Sequence, residues 1–82
     1  MESIAADVLR LRNARNLSQE DAAKLVGVTQ HIWSDWERGK VLPSPLARRA
    51  LALVFRSELE SMRPPPTWYV RTKAESPTLR NM

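Results

Sequence analysis

The 82-residue sequence predicts an all-α domain of four to five helices, followed by an extended C-terminal arm whose residues favour a short β-strand. Three observations carry that prediction. Apolar residues recur at helical spacing in successive segments up to about residue 62. Serines suited to N-capping (Ser18, Ser44 and Ser57) open three of those segments. The only two glycines, Gly27 and Gly39, bracket one short segment, where a chain tolerant of positive φ can turn.

Helix one is predicted over Ser3 to Arg15, with Ile4, Val8 and Leu11 on one face, and Asn16 suits a left-handed C-cap. Helix two runs from about Gln19 to Val26, with Ser18 as N-cap and the acids Glu20 and Asp21 in its first turn, where the helix dipole favours them. Helix three spans about Gln30 to Arg38. Pro43-Ser44-Pro45 closes a loop and opens helix four, with Ser44 capping and Pro45 in the first turn. Leu46, Ala47, Ala50, Leu51 and Val54 form its expected buried stripe. Ser57-Glu-Leu-Glu60 matches a capping box and marks the start of a fifth helix. One continuous helix to about Met62 fits the same residues, since no glycine intervenes.

Arg63-Pro-Pro-Pro66 stops any helix and imposes an extended spacer. Thr67-Trp-Tyr-Val-Arg-Thr72 is rich in β-formers. Lys73 to Met82 is polar and expected to be disordered. The organisation is thus a helical domain over 1–62 and a spacer, strand and basic tail over 63–82.

Composition narrows function mainly by exclusion. There is no cysteine and one histidine, so neither a disulfide framework nor a metal-ligand cluster is expected, and no cofactor is implied. Met1 to Arg10 contains Glu2 and Asp7 and no apolar run, unlike a signal peptide. No stretch approaches the ~18–20 apolar residues that span a bilayer. A cytoplasmic, nucleoid-associated protein of bacterial or phage origin is expected, with no membrane partner. The net charge is +4, but residues 1–62 carry nine Lys/Arg against eight Asp/Glu, whereas residues 63–82 carry four against one. Charge alone does not make this a nucleic-acid binder.

The pattern does. Helix two, the Gly27 turn and a third helix with a polar outer face (Thr29, Gln30, His31, Ser34, Asp35) form the helix-turn-helix arrangement that enters the DNA major groove. From Val8 to Val54 the chain resembles the phage repressor and Cro-type family, the lambda-repressor-like DNA-binding domain. The resemblance rests on Leu11-Arg12, Leu17-Ser18-Gln19-Glu20, Ala23, Gly27-Val28-Thr29-Gln30 and Trp36-Glu37-Arg38-Gly39-Lys40. It implies a homodimer that binds an inverted-repeat operator in double-stranded DNA and represses transcription.

It also implies roles. Gln19 would bond a phosphate and brace Gln30, and Gln30 could pair bidentately with adenine. Thr29 would offer a methyl to thymine or a hydroxyl to phosphate, and His31 would reach guanine N7 or O6. Ser34 and Asp35 lie one turn further along; Asp35 would accept from cytosine N4 or orient a neighbour. Arg38 and Lys40 would touch the backbone at the helix exit. Arg12 and Glu37 resemble a buried ion pair with a structural role. The chain departs from the family at Ala22, usually large and aliphatic, and at Trp33, usually Ile or Val, an exchange that could conserve core volume. Ile32 and Leu25 add apolar groups where the family has small, polar or charged ones.

Outside that frame, Trp33 and Trp36 are expected in the core, and Trp68, Tyr69 and Val70 at a dimer interface formed by the arm. His31, Ser34 and Asp35 share one helical face, but an exposed helix offers no oxyanion hole, so no enzyme is expected. Two rival readings stand beside the repressor: an antitoxin-type autoregulator whose arm binds a partner protein, and an interaction module that has lost DNA binding. Gln19 and Gln30 argue against the second.

Overall fold

In the computed structural model, which describes residues 4–69, five helices follow one another: α1 (Ile4–Ala14), α2 (Gln19–Val26), α3 (Gln30–Glu37), α4 (Pro45–Val54) and α5 (Arg56–Ser61). The first three end on one device. Asn16 (φ 55°), Gly27 (φ 82°) and Gly39 (φ 72°) each adopt the left-handed conformation just past the helix. Each then closes a paired set of reversed bonds. Leu17 N–H reaches Arg12 C=O, Val28 N–H reaches Ala23 C=O, and Lys40 N–H reaches Asp35 C=O, all at 2.9–3.1 Å. A side chain at Gly27 or Gly39 would therefore be strained by φ rather than by lack of room.

The helix starts are equally local. Ser18, Thr29 and Ser44 accept the backbone N–H three residues on, from Asp21, Ile32 and Ala47. The predicted capping box at Ser57 does not form. The chain breaks earlier, at Phe55 (φ −107°, ψ 31°), which opens α5 without a side-chain cap. Ser57 lies inside α5, and its carbonyl accepts from Ser61 Oγ. What holds the break is remote in sequence. Arg15 Nη2 donates to Val54 C=O at 2.7 Å and its guanidinium binds both oxygens of Glu58 at 2.6 and 3.0 Å. The same group sits 4.7 Å over the Phe55 ring.

Core residues come from all five helices. Val8 and Leu11 of α1, Ala22 and Ala23 of α2, and Trp33 and Trp36 of α3 are buried with Leu51, Phe55 and Leu59. Trp33 and Trp36 lie 5.6 Å apart by ring centroid, tilted at 51°, and Phe55 is 6.2 Å from Trp33. These tilted arrangements are the ones aromatic quadrupoles favour. Ala22 and Trp33 are both fully buried, so the small residue and the large one occupy the same core. The expected α4 stripe is narrower than its periodicity implied: Leu51 is buried, Leu46 faces solvent and is 78% exposed, and Leu42 and Leu53 are also exposed.

The segment after α5 departs most from expectation. Within the described residues Thr67 and Trp68 form a turn, closed by Tyr69 N–H on Pro66 C=O, where a strand was expected. After the triproline, Trp68 and Tyr69 return to the helical domain. Trp68 Nε1 donates to Asp7 Oδ2 on α1 at 2.9 Å, and Tyr69 Oη bonds Glu60 Oε2 on α5 at 2.9 Å. Asp7, 3% exposed, also receives Arg10 Nη2 at 2.9 Å, so its buried charge has a donor on each oxygen. Val70 and the rest of the expected strand, with the predicted disordered tail, lie outside the described residues.

Candidate nucleic-acid interface

Helix α3 presents its exposed face through Gln30, His31 and Ile32, with Ser34 half-buried one turn on and Arg38 and Lys40 exposed at its exit. Packing explains which face is out. Trp33 and Trp36 anchor one face in the core, so Gln30, His31 and Ile32, in the first turn, are left facing water. Thr29 caps the helix: its Oγ1 accepts from Ile32 N–H at 3.2 Å, while its O–H stays available to donate outward. Gln30 has no side-chain partner among the described residues, so both ends of its carboxamide are available.

Beneath this face lies a hub on one carboxylate. Glu37 accepts from Arg12 Nε and Nη2 at 2.6 and 3.1 Å, from Gln19 Nε2 at 2.9 Å, and from Trp33 Nε1. Arg12 also donates to Leu17 C=O at 3.0 Å, so a single side chain ties α1, the first loop and the end of α3 together. Burial alone would push the Glu37 carboxyl up. The hydrogen bonds from Arg12, Gln19 and Trp33, with the charge of Arg12, outweigh it and leave the group below its ordinary value. The Arg12 guanidinium is raised, chiefly by its hydrogen bond to Glu37 and against desolvation. The structure thus brings Arg12 and Glu37 together as the sequence comparison implied.

It does not bring Gln19 to Gln30. Glu37 can only accept, so Gln19 turns its amide nitrogen inward. Its carbonyl oxygen and second N–H remain for an outside contact. Trp33 had no assigned role beyond packing, and its indole N–H is a donor that Ile or Val could not supply.

Asp35 lies deeper than Gln30, His31 and Ser34 on α3. Its side chain is only 12% exposed, with Oδ1 accepting from Arg38 Nη2 at 2.8 Å and Oδ2 lying 3.5 Å from His31 Nε2. The Arg38 hydrogen bond lowers its carboxyl most. The nearby charges of His31, Lys40 and Arg38 add to this, and desolvation opposes it. Of the two roles expected for Asp35, orienting neighbours matches this geometry, and accepting from a base does not. The imidazole of His31 is 79% exposed.

Two residues that the sequence reading left unassigned, Asp7 and Arg15, organise the back of the domain. Asp7 gave a legible signal: it falls on the same α1 stripe as Ile4, Val8 and Leu11, where a carboxylate needs buried donors. Trp68 and Tyr69, expected between subunits, are hydrogen-bonded to their own α1 and α5 and remain half-buried.

A family model described as a helix-turn-helix domain matches residues 4–68, a span that runs from the first turn of α1 to Trp68. No curated protein and no solved structure matches the chain. No described helix is long and apolar enough to cross a membrane.

Proposed function

The chain belongs to the helix-turn-helix domain family, and from that premise we propose that it binds duplex DNA sequence-specifically, with α3 in the major groove, as a repressor of the phage and Cro type. The observation that carries this is the division of α3. One face is locked into the core by Trp33 and Trp36, and the other presents Gln30 and His31. A helix fixed on one side and carrying hydrogen-bonding groups on the other is what base readout requires.

One such helix reads only a few base pairs. Two copies about one helical turn apart (~34 Å) read an inverted repeat, so the acting species is a homodimer. With Trp68 and Tyr69 bonded within their own subunit, the surface offered to the second copy is the outer side of α4, where Leu46 and Leu53 are 78% and 62% exposed. The arm is correspondingly less suited to wrapping a partner protein, which weighs against the antitoxin reading. Gln19, Thr29, Gln30, His31, Ser34, Arg38 and Lys40 form the DNA-facing set, and Arg12 with Glu37 supports it from beneath.

The test is binding to duplex DNA across a salt series, together with footprinting of the promoter upstream of the protein's own gene. Protection of an inverted repeat, with affinity falling steeply as salt rises, is expected. Affinity too weak to titrate on every duplex, from a chain shown to be folded, would sink the proposal and leave an interaction module.

A further inference from the structure

Asp35 sits on the recognition helix and cannot act as its neighbours do. Oδ1 accepts from Arg38 Nη2 at 2.8 Å, Oδ2 lies 3.5 Å from His31 Nε2, and the side chain is 12% exposed against 58% for Arg38 and 79% for His31. The acid lies under the two basic side chains, one turn before and one turn after, at spacings that put all three on one stripe. A carboxylate left facing DNA would repel phosphate. Covered in this way, it fixes the guanidinium of Arg38 instead.

We propose that Asp35 is a positioning residue of the DNA-facing surface: it holds Arg38 in place, beside His31, and itself touches no base. The proposal rests on the DNA-binding reading of α3. The imidazole of His31, 79% exposed beside Asp35, stays open to an outside contact. Among the described residues Arg38 has no partner on Nε or Nη1, and the carboxylate beside it offsets its field, which lowers its pull on any phosphate and leaves geometry to decide its contact. Lys40, which also lies in the field of Asp35, carries no such constraint and stays a plain phosphate contact.

Asp35→Asn keeps shape and removes charge; Asp35→Glu keeps charge and shifts reach. Side-chain ¹⁵N relaxation of Arg38 is measured in the free protein, and binding to the footprinted operator and to an unrelated duplex is measured across salt. Arg38 should be ordered in the parent, mobile in Asp35→Asn and partly ordered again in Asp35→Glu. Affinity of Asp35→Asn for the unrelated duplex should rise, its salt slope steepening by about 0.9, as one freed cation engages one phosphate. The ratio of operator to unrelated binding should fall by roughly fivefold or more, the lower end of what one good side chain–base pair contributes. Thermal melts exclude a folding defect as the cause. Loss of discrimination at a single C·G pair with an unchanged salt slope would make Asp35 a base reader and overturn the proposal. An Arg38 guanidinium as mobile in the parent as in Asp35→Asn overturns it whatever the DNA result. An ordered Arg38 in a parent that binds no duplex overturns the DNA reading and leaves the pairing standing.

Discussion

Trp33 donates its indole N–H to Glu37, one helical turn further along α3, and thereby joins the largest core side chain to the carboxylate that also holds Arg12 and Gln19. The three donors come from three different helices, so the position of α3 relative to α1 and α2 is set by hydrogen bonds of fixed direction as well as by apolar packing. Truncating Trp33 to Phe should keep most of the ring contacts and remove the donor. A hydrogen bond to a charged group contributes about 1.5–3 kcal/mol. A melting shift of about 6 °C or more is expected for a domain of this size. An unshifted melt would mean that the indole merely fills space.

Arg12→Ala and Glu37→Ala should each cost about 3–5 kcal/mol, because either change leaves a largely buried charge without its partner. The double variant should cost much less than the two single changes together. Chemical denaturation of all three settles it: additive losses would show that the two charges do not stabilise each other in solution.

Acid should unfold the protein with a particular sign. Burial raises the Glu37 carboxyl, but its three donors more than reverse that. Arg15 lowers Glu58 against desolvation. Both groups thus bind protons less readily folded than unfolded, so their contribution is fully present above the unfolded values near about 4.3 and is lost as pH falls through the folded ones. Melting temperature should hold from pH 7 to about 5 and drop below that. The drop should be shallower in Glu37→Gln, measured against that variant's own neutral-pH melt. A melting temperature that climbs on acidification contradicts the assignment.

Gln30→Ala should weaken operator binding by about 1–3 kcal/mol and relax choice at one base pair, and Lys40→Ala should weaken all duplexes alike and reduce the salt slope by about one phosphate. Quantitative footprints with single base-pair changes distinguish the two patterns. Equal losses on operator and unrelated DNA for Gln30→Ala would remove it from readout.

What the sequence made legible was local. Ser18 and Ser44 as caps, Asn16 and Gly27 as left-handed stops, and the bounds of α2 follow from interactions within four or five residues, which a short pattern contains. The candidate DNA face was legible for the same reason, since Trp33 and Trp36 fix by spacing which side is in. What was missed was remote. The break at Phe55 depends on Arg15, 39 residues before Val54, and the fold-back of Trp68 depends on Asp7, 61 residues away. A Ser-x-x-Glu pattern at Ser57 looked like a start because capping signals carry no information about a guanidinium arriving from another helix. For Asp35 the spacing left two roles open, and the Arg38 hydrogen bond, three residues on, is the local contact that fits the orienting one.

The fold-back changes what shortening the chain should do. A chain ending at Met62 lacks Trp68 and Tyr69, so Asp7 keeps only Arg10, itself largely exposed, and the surface between α1 and α5 is uncovered. A buried carboxylate short of one donor is costly. The chain ending at Met62 should be less stable than one ending at Tyr69, and Trp68→Phe in the full chain should lose about 1.5–3 kcal/mol of that difference through the single hydrogen bond. Asp7→Asn should lose less than Trp68→Phe, because the neutral amide still accepts from the indole and leaves no buried charge. Association separates from stability here. If two subunits meet through α4, the chain ending at Tyr69 sediments as the full chain does, and Leu46→Glu with Leu53→Glu yields a folded monomer whose operator binding is much weaker. A chain ending at Tyr69 that becomes monomeric while still melting cooperatively would return the interface to residues 70–82.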